Sequence, residues 1–146
     1  MTVSTVPVAE RAKVEEGHMP KRILAVDDES IHRRFLQQCL QDKFEVEVAA
    51  SAEECLELLK HRQYDLLLTD CNMPGMNGYE LVLEVHRRYP HLPCMMVSGS
   101  VYDIKDLLNQ HKIPHLPKPY DPLDLVRRVQ TILETAYLSH TTSPPT

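Results

Sequence analysis

The chain reads as an α/β protein in which five strand–helix pairs build an open, doubly wound parallel sheet with helices on both faces. Three observations carry this. Short apolar runs of strand length alternate with longer segments whose apolar residues recur at helical spacing. Most of the runs end in an acid, a glycine or another polar residue, so polarity changes where a strand would leave a sheet. With 146 residues, 42% of them hydrophobic and 25% charged, the chain has an ordinary globular composition and length enough for one core. Right-handed crossovers between parallel strands then distribute the helices over both faces.

KRILAVD over 21–27 is a short apolar run ending in acid and predicts a buried strand. ESIHRRFLQQCL over 29–40 predicts a helix with Ile31, Phe35, Leu36, Cys39 and Leu40 inward and Arg33, Arg34, Gln37 and Gln38 in water. FEVEVA over 44–49 alternates with period two, and SAEECLELLKH over 51–61 opens with Ser51 three residues before Glu54, a capping-box spacing. YDLLLTD over 64–70 is apolar throughout its centre, as a parallel strand covered on both faces should be. NMPGMNG over 72–78 is a turn, and YELVLEVHRRY over 79–89 returns to helical period. PCMMVSG over 93–99 predicts a fourth strand and VYDIKDLLNQH over 101–111 a short fourth helix. KIPHLPKP over 112–119 contains three prolines, each lacking a donor, so it fits only as an edge strand. In DPLDLVRRVQTILETAYL over 121–138, Asp121 caps, Pro122 suits the first helical position, and Leu125, Val129, Ile132, Leu133 and Ala136 form the apolar stripe. Residues 1–20 and 139–146 lack a sustained period and are expected as a flexible extension and a flexible tail or linker start, leaving 21–138 as the folded unit.

Sixteen Lys and Arg against 21 Asp and Glu give a net charge of −5, which argues against nucleic-acid binding driven by a basic surface. Cys39, Cys55, Cys71 and Cys94 show no CxxC spacing and lie in or beside apolar stretches, so they predict free thiols rather than a zinc site. The N-terminus lacks the apolar core of a signal peptide and no run reaches the length of a spanning helix, which makes the cytoplasm the expected compartment.

In a doubly wound sheet the ligand crevice lies beyond the carboxyl ends of the strands. Asp27, Asp28 and Glu29 follow the first strand, Asp70 the third, Ser98 ends the fourth, and Lys118 follows the fifth. Strand-end acids commonly serve as caps or solvated loop residues, but these converge on one place. Crowded carboxylates repel unless a cation compensates them, and a hard divalent ion such as Mg2+, with Mn2+ as a substitute, suits an all-oxygen set. Lys118 is placed to pair with Asp70 and then to meet a phosphate oxygen, and Ser98 to donate to the same group or to serve as a backbone partner. No GxxxxGK[ST] loop, Rossmann glycine fingerprint or Ser-His-Asp arrangement is present, so a nucleotide site and triad hydrolysis are disfavoured. A carboxylate beside a metal points to phosphoryl chemistry on an aspartate.

Four segments in order, ILAVDDE at 23–29, LLLTDCNMPGMNGYEL at 66–81, MMVSG at 95–99 and LPKPY at 116–120, resemble the receiver domain of two-component response regulators, including its single-domain chemotaxis members. The resemblance covers 21–138 and implies the flavodoxin-like receiver fold with strand order 2-1-3-4-5. It also implies that Asp70 is the phosphoacceptor, Asp28 a metal ligand, Asp27 an assisting acid, and the Asn72 carbonyl a further ligand, with Ser98 the switch hydroxyl and Lys118 the phosphate-contacting lysine. By that resemblance a histidine kinase or histidine phosphotransfer protein supplies the group, the domain catalyses its own phosphorylation and dephosphorylation, and a downstream protein reads the outcome.

Two positions stay open. His115 stands where the family has Tyr or Phe, so it is either a modified switch or an edge-strand histidine that transmits nothing. Ile31, just beyond the acidic pair, is either a partner-docking residue or a core residue. The stretch from Ser98 to Lys118 is also about two residues short for the family, so the fourth helix is expected short or displaced. The competing functional class is a pseudo-receiver that binds partners without phosphate. A haloacid-type phosphatase would need a DxD segment, which DDE does not provide.

Overall fold

A computed structural model describes residues 20–99 and 104–142, with side chains through residue 136. The expected extension over 1–20, apart from Pro20, and the last four residues of the expected tail lie outside the described residues, as do residues 101–103 of the expected fourth helix. The elements follow the predicted alternation: β1 (Arg22–Val26), α1 (Ser30–Leu40), β2 (Glu45–Ala49), α2 (Ala52–His61), β3 (Leu66–Thr69), α3 (Gly78–Arg88), β4 (Cys94–Ser98), α4 (Lys105–Gln110), β5 (His115–Pro117) and α5 (Pro122–Thr142). All strand pairs are parallel and the sheet order is β2-β1-β3-β4-β5.

The apolar residues on the two faces of the sheet form two cores. Ile23, Ala25, Leu66, Leu68, Met95 and Val97 face α1 and α5 through Leu36, Leu40, Leu125, Val129 and Leu133. Leu24, Val26, Leu67 and Met96 face α2, α3 and α4 through Cys55, Leu59, Leu81, Val85 and Leu108. β3 and β4 are therefore buried along their whole length, whereas β2 is half-buried until Ala49, as an edge strand that alternates in sequence should be.

The helix starts follow their side-chain chemistry. Ser51 accepts from the Glu54 amide at 3.1 Å, while the Glu54 carboxylate takes the Ala50 amide at 2.8 Å. Asn77 and Glu80 form a full capping box on α3, a signal within the predicted turn that places the helix start at Gly78, one residue earlier than the periodicity implied. Asp121 accepts from the Leu123 amide at 2.8 Å and α5 begins at Pro122.

Three expectations need correction. The inward stripe of α1 is narrower than the spacing suggested, because Leu36 and Leu40 are buried while Phe35 is 37% exposed and Ile31 is 83% exposed. Arg33 does not simply face water. Its guanidinium donates to the Asp27 carbonyl at 2.7 Å, since the end of β1 lies against the first turn of α1. α5 continues to Thr142 rather than stopping at 138, because polar residues extend an established helix at little cost even without an apolar anchor. β5 shrinks to three residues, the length that Pro114, Pro117 and Pro119 leave available for a ladder. α4 is short, as the reduced Ser98–Lys118 spacing implied.

Gly78 decides how close α3 comes to the third strand. Its amide donates to the Cys71 carbonyl at 2.8 Å, and a Cβ at this position would lie 1.9 Å from the Asp70 carbonyl oxygen. Alanine favours helices over glycine by about 1 kcal/mol, but a clash with backbone cannot be relieved by a rotamer change. Gly78→Ala is therefore expected to lose about 1–3 kcal/mol in urea unfolding. A neutral or stabilised variant would show that α3 does not pack this tightly on the Asp70 peptide.

Candidate functional site

The site begins in the register of the sheet. Val26 of β1 pairs with Ala49 of β2 and with Thr69 of β3. One residue further, the Asp27 amide donates to the Ala49 carbonyl at 3.1 Å and the Asp70 amide to the Val26 carbonyl at 2.9 Å. Two acids that are 43 residues apart in sequence thus leave neighbouring strands at the same level. On the far side Ser98 pairs with Pro117, and the Lys118 amide donates to the Ser98 carbonyl at 3.1 Å. Backbone pairing alone therefore delivers Asp27, Asp70, Ser98 and Lys118 to one edge of the sheet, the edge that the topology reserves for ligands.

Asp27, Asp28 and Asp70 each bring one carboxylate oxygen to within 4.8 Å of those of the other two. Asp27 is fully buried, Asp70 is 7% exposed, and Asp28 faces solvent. Lys118 Nζ bridges the two buried acids, 3.6 Å from Asp27 Oδ2 and 3.8 Å from Asp70 Oδ1, rather than pairing with Asp70 alone as the sequence suggested. Asp27 Oδ1 accepts the Glu29 amide at 2.8 Å and Oδ2 meets His32 Nδ1 at 2.5 Å. The Asp70 carboxylate takes hydrogen bonds from the Ser98 hydroxyl and the Cys71 amide, and the Thr69 hydroxyl donates to its backbone carbonyl at 2.9 Å.

These contacts divide the two acids electrostatically. Burial pushes the Asp27 carboxyl up, but His32, the Glu29 amide and Lys118 together outweigh it and hold the group below its ordinary value. Asp70 is held above its ordinary value, first by burial and then by the charge of Asp27, with Lys118, Ser98 and Cys71 only partly opposing this. One lysine does not neutralise three carboxylates. A divalent cation fits the remaining imbalance, and an all-carboxylate donor set suits a hard ion.

The other predicted residues fall at different distances from this centre. Asn72 lies two residues after Asp70 in the exposed loop before α3. His115 opens β5, half-buried, and its Nδ1 donates to the Ile113 carbonyl at 3.1 Å. Ile31 stands on the exposed start of α1, so it is not a core residue. None of the cysteines among the described residues is in a disulfide, and burial pushes the Cys55 and Cys94 thiols up to about 12, which leaves them protonated and inert at neutral pH. Two residues were missed: His32, on Asp27, and Tyr120, whose hydroxyl lies 2.9 Å from His32 Nε2. Nothing local marks His32 in sequence, because its second partner is 88 residues away.

The response regulator receiver domain model matches residues 23–130. The chain belongs to this family. The receiver domain is 33% identical over 113 residues to the response regulator protein FleR of Pseudomonas aeruginosa, covering 74% of this chain and 24% of that protein. It is also 33% identical over 117 residues to the sensor histidine kinase TmoS of Ectopseudomonas mendocina, covering 77% of this chain and 12% of that one. An uncharacterized 14.6 kDa protein of Leptolyngbya boryana is 38% identical over 114 residues, covering 74% of this chain and 86% of its own length. Among solved structures, a response regulator receiver domain protein from Methanospirillum hungatei superposes with a TM-score of 0.75 at 30% identity, covering 81% of this chain and 97% of that one. The receiver domain thus spans a quarter or less of FleR and TmoS. Its acidic triad is the arrangement typical of the phosphoaccepting, metal-binding site of response regulators.

The crowding has a measurable consequence. Without metal at pH 7, Asp70→Asn should stabilise the receiver domain by roughly 0.5–2 kcal/mol, because it removes one of three like charges. For an acid whose folded pKa is raised, the cost of ionisation is fully present above that pKa and vanishes below the unfolded value, here 3.8. The gain should therefore shrink as pH falls towards 3.8 and also when a divalent ion is added at pH 7. Urea melts under these three conditions check it, and equal stability of both proteins throughout would mean that the acids do not interact.

Proposed function

We propose that the domain accepts a phosphoryl group on Asp70 from the phosphohistidine of a histidine kinase or histidine phosphotransfer protein and signals through protein contacts. A phosphorelay partner in the general sense is what the family matches support. The observation that carries the finer reading is the bridging of Asp27 and Asp70 by Lys118 within a cluster of three carboxylates.

Asp28, Asp70 and the Asn72 carbonyl would hold Mg2+, or Mn2+ in its place, with Asp27 assisting. The ion supplies charge neutralisation at the transferred oxygens. A carboxylate oxygen of Asp70 attacks phosphorus in line, so an O–P bond forms while the P–N bond of phosphohistidine breaks. The imidazole leaves with that electron pair and is protonated. Lys118, already close to Asp70, would offset charge on the equatorial oxygens, and the Cys71 amide and Ser98 hydroxyl, which donate to the Asp70 carboxylate, would donate to them. The covalent product adds charge to a buried position. Ser98 is the hydroxyl proposed to follow it, with His115 behind it on β5 and the α4–β5–α5 surface as the readout. Exposed Ile31 on α1 is proposed to meet the phosphodonor.

Incubation of the full chain with acetyl phosphate and Mg2+ should add one phosphoryl group by intact mass, with none added to Asp70→Asn or in excess chelator. If the native chain is not labelled where a control receiver is, it acts as a pseudo-receiver that binds partners unphosphorylated.

His115 is held by its own neighbourhood, with Nδ1 on the Ile113 carbonyl and its own carbonyl accepting from Arg128 at 3.0 Å. His115→Tyr is therefore expected to leave the uptake rate within about twofold while changing the amide shifts that phosphorylation causes in α4 and β5. Amide spectra with and without phosphate across pH 6–8 test this. Identical shifts in both proteins at every pH would make His115 an inert edge residue.

A further inference from the structure

The loop between β5 and α5 is tied to the acidic pocket twice. Lys118 makes the direct tie, to Asp27 Oδ2 and Asp70 Oδ1. Two residues later Tyr120 makes an indirect one through His32, whose Nδ1 reaches the same Asp27 Oδ2. The His32 side chain is only 13% exposed in the first turn of α1, and its ring lies 6.1 Å from that of Tyr120 and 6.2 Å from that of Phe35, with Phe35 and Tyr120 6.0 Å apart. Three rings in mutual contact limit the orientations open to the imidazole.

One hydrogen-bond direction follows from donor and acceptor chemistry. An ionised carboxylate only accepts, so Nδ1 carries a proton and donates to Asp27. The Tyr120 hydroxyl both donates and accepts, so it partners Nε2 in either protonation state of the ring. The contacts run without a break from the Tyr120 hydroxyl through His32 to Asp27 Oδ2.

We propose that His32 is a positioning residue for the chemistry of Asp70: the Tyr120–His32–Asp27 chain fixes the Asp27 carboxylate and the loop that presents Lys118, so that Asp27 keeps a donor on Oδ2 when Lys118 turns to a phosphoryl group. The inference rests on Asp70 being the phosphoacceptor. Its physical basis is the complete burial of Asp27. With His32 absent, Oδ2 would depend on Lys118 alone, and every movement of the lysine towards Asp70 would strand a buried charge. With His32 present, the lysine is free to serve the incoming group while its loop stays docked on α1 through Tyr120.

The test measures phosphoryl uptake by the full chain from acetyl phosphate at saturating Mg2+, as a function of donor concentration. His32→Leu should lower the maximal rate about tenfold while the half-saturating donor concentration moves less than about twofold, because the lost function is alignment rather than donor binding. His32→Asn, whose amide nitrogen stands in for Nδ1, should regain at least about threefold of that loss. Tyr120→Phe keeps the ring packing and removes one oxygen, so it folds, and should be slower by about threefold. Long-range 1H–15N spectra of the metal-free protein give a readout without phosphate: His32 Nδ1 should carry a proton, and the Nε2 resonance should move in Tyr120→Phe. A His32 Nδ1 that carries no proton, or native uptake rates in His32→Leu, would overturn the inference. If the native chain takes up no phosphoryl group, the proposed function fails, and these spectra alone then decide whether the chain of bonds exists.

Discussion

Two buried carboxylates, Asp27 and Asp70, stand on adjacent strands with a single ammonium between them, and the rest of the pocket is organised around keeping that arrangement tolerable. Unpaired, each charge would be far too costly to bury. The structure distributes the compensation unevenly. Asp27 receives an amide, an imidazole and a share of Lys118, whereas Asp70 receives a hydroxyl, an amide and the other share. The result is one carboxylate made more acidic and one made less so, and a pocket whose residual negative charge favours a cation.

The fold is the means by which these groups meet. Parallel pairing puts the carboxyl ends of β1 and β3 at one level, and the ladder hydrogen bonds continue one residue past each strand, through the Asp27, Asp70 and Lys118 amides. Gly78 then lets α3 approach the Asp70 peptide more closely than any side chain would permit. Site geometry here is a property of backbone packing as much as of the functional side chains. A substitution on the far side of the loop can therefore displace the acid without touching it.

Much of this was legible beforehand. The alternation of apolar runs with helical stripes indicated five parallel strands, because period two and period 3.6 bury different residue patterns. The acids after the first and third runs, with the lysine after the fifth, could be assigned to one crevice, since doubly wound sheets collect strand ends there. The α1 stripe is narrower than its spacing predicts, because helical spacing shows which residues share a face but not where a neighbouring helix stops covering it. Phe35 and Ile31 lie past that limit.

By itself, then, the sequence determined the elements, their order and the family of the pocket, because each of these depends on local periodicity or on which residue ends a strand. Only the tertiary structure decided how the pocket's charges are shared. Lys118 bridges two acids instead of one, and His32 joins α1 to a tyrosine 88 positions away. Such contacts depend on distances between elements that meet only after the sheet has formed. No spacing in the chain encodes them, since a side chain's partner is set by packing across layers and not by its neighbours in sequence.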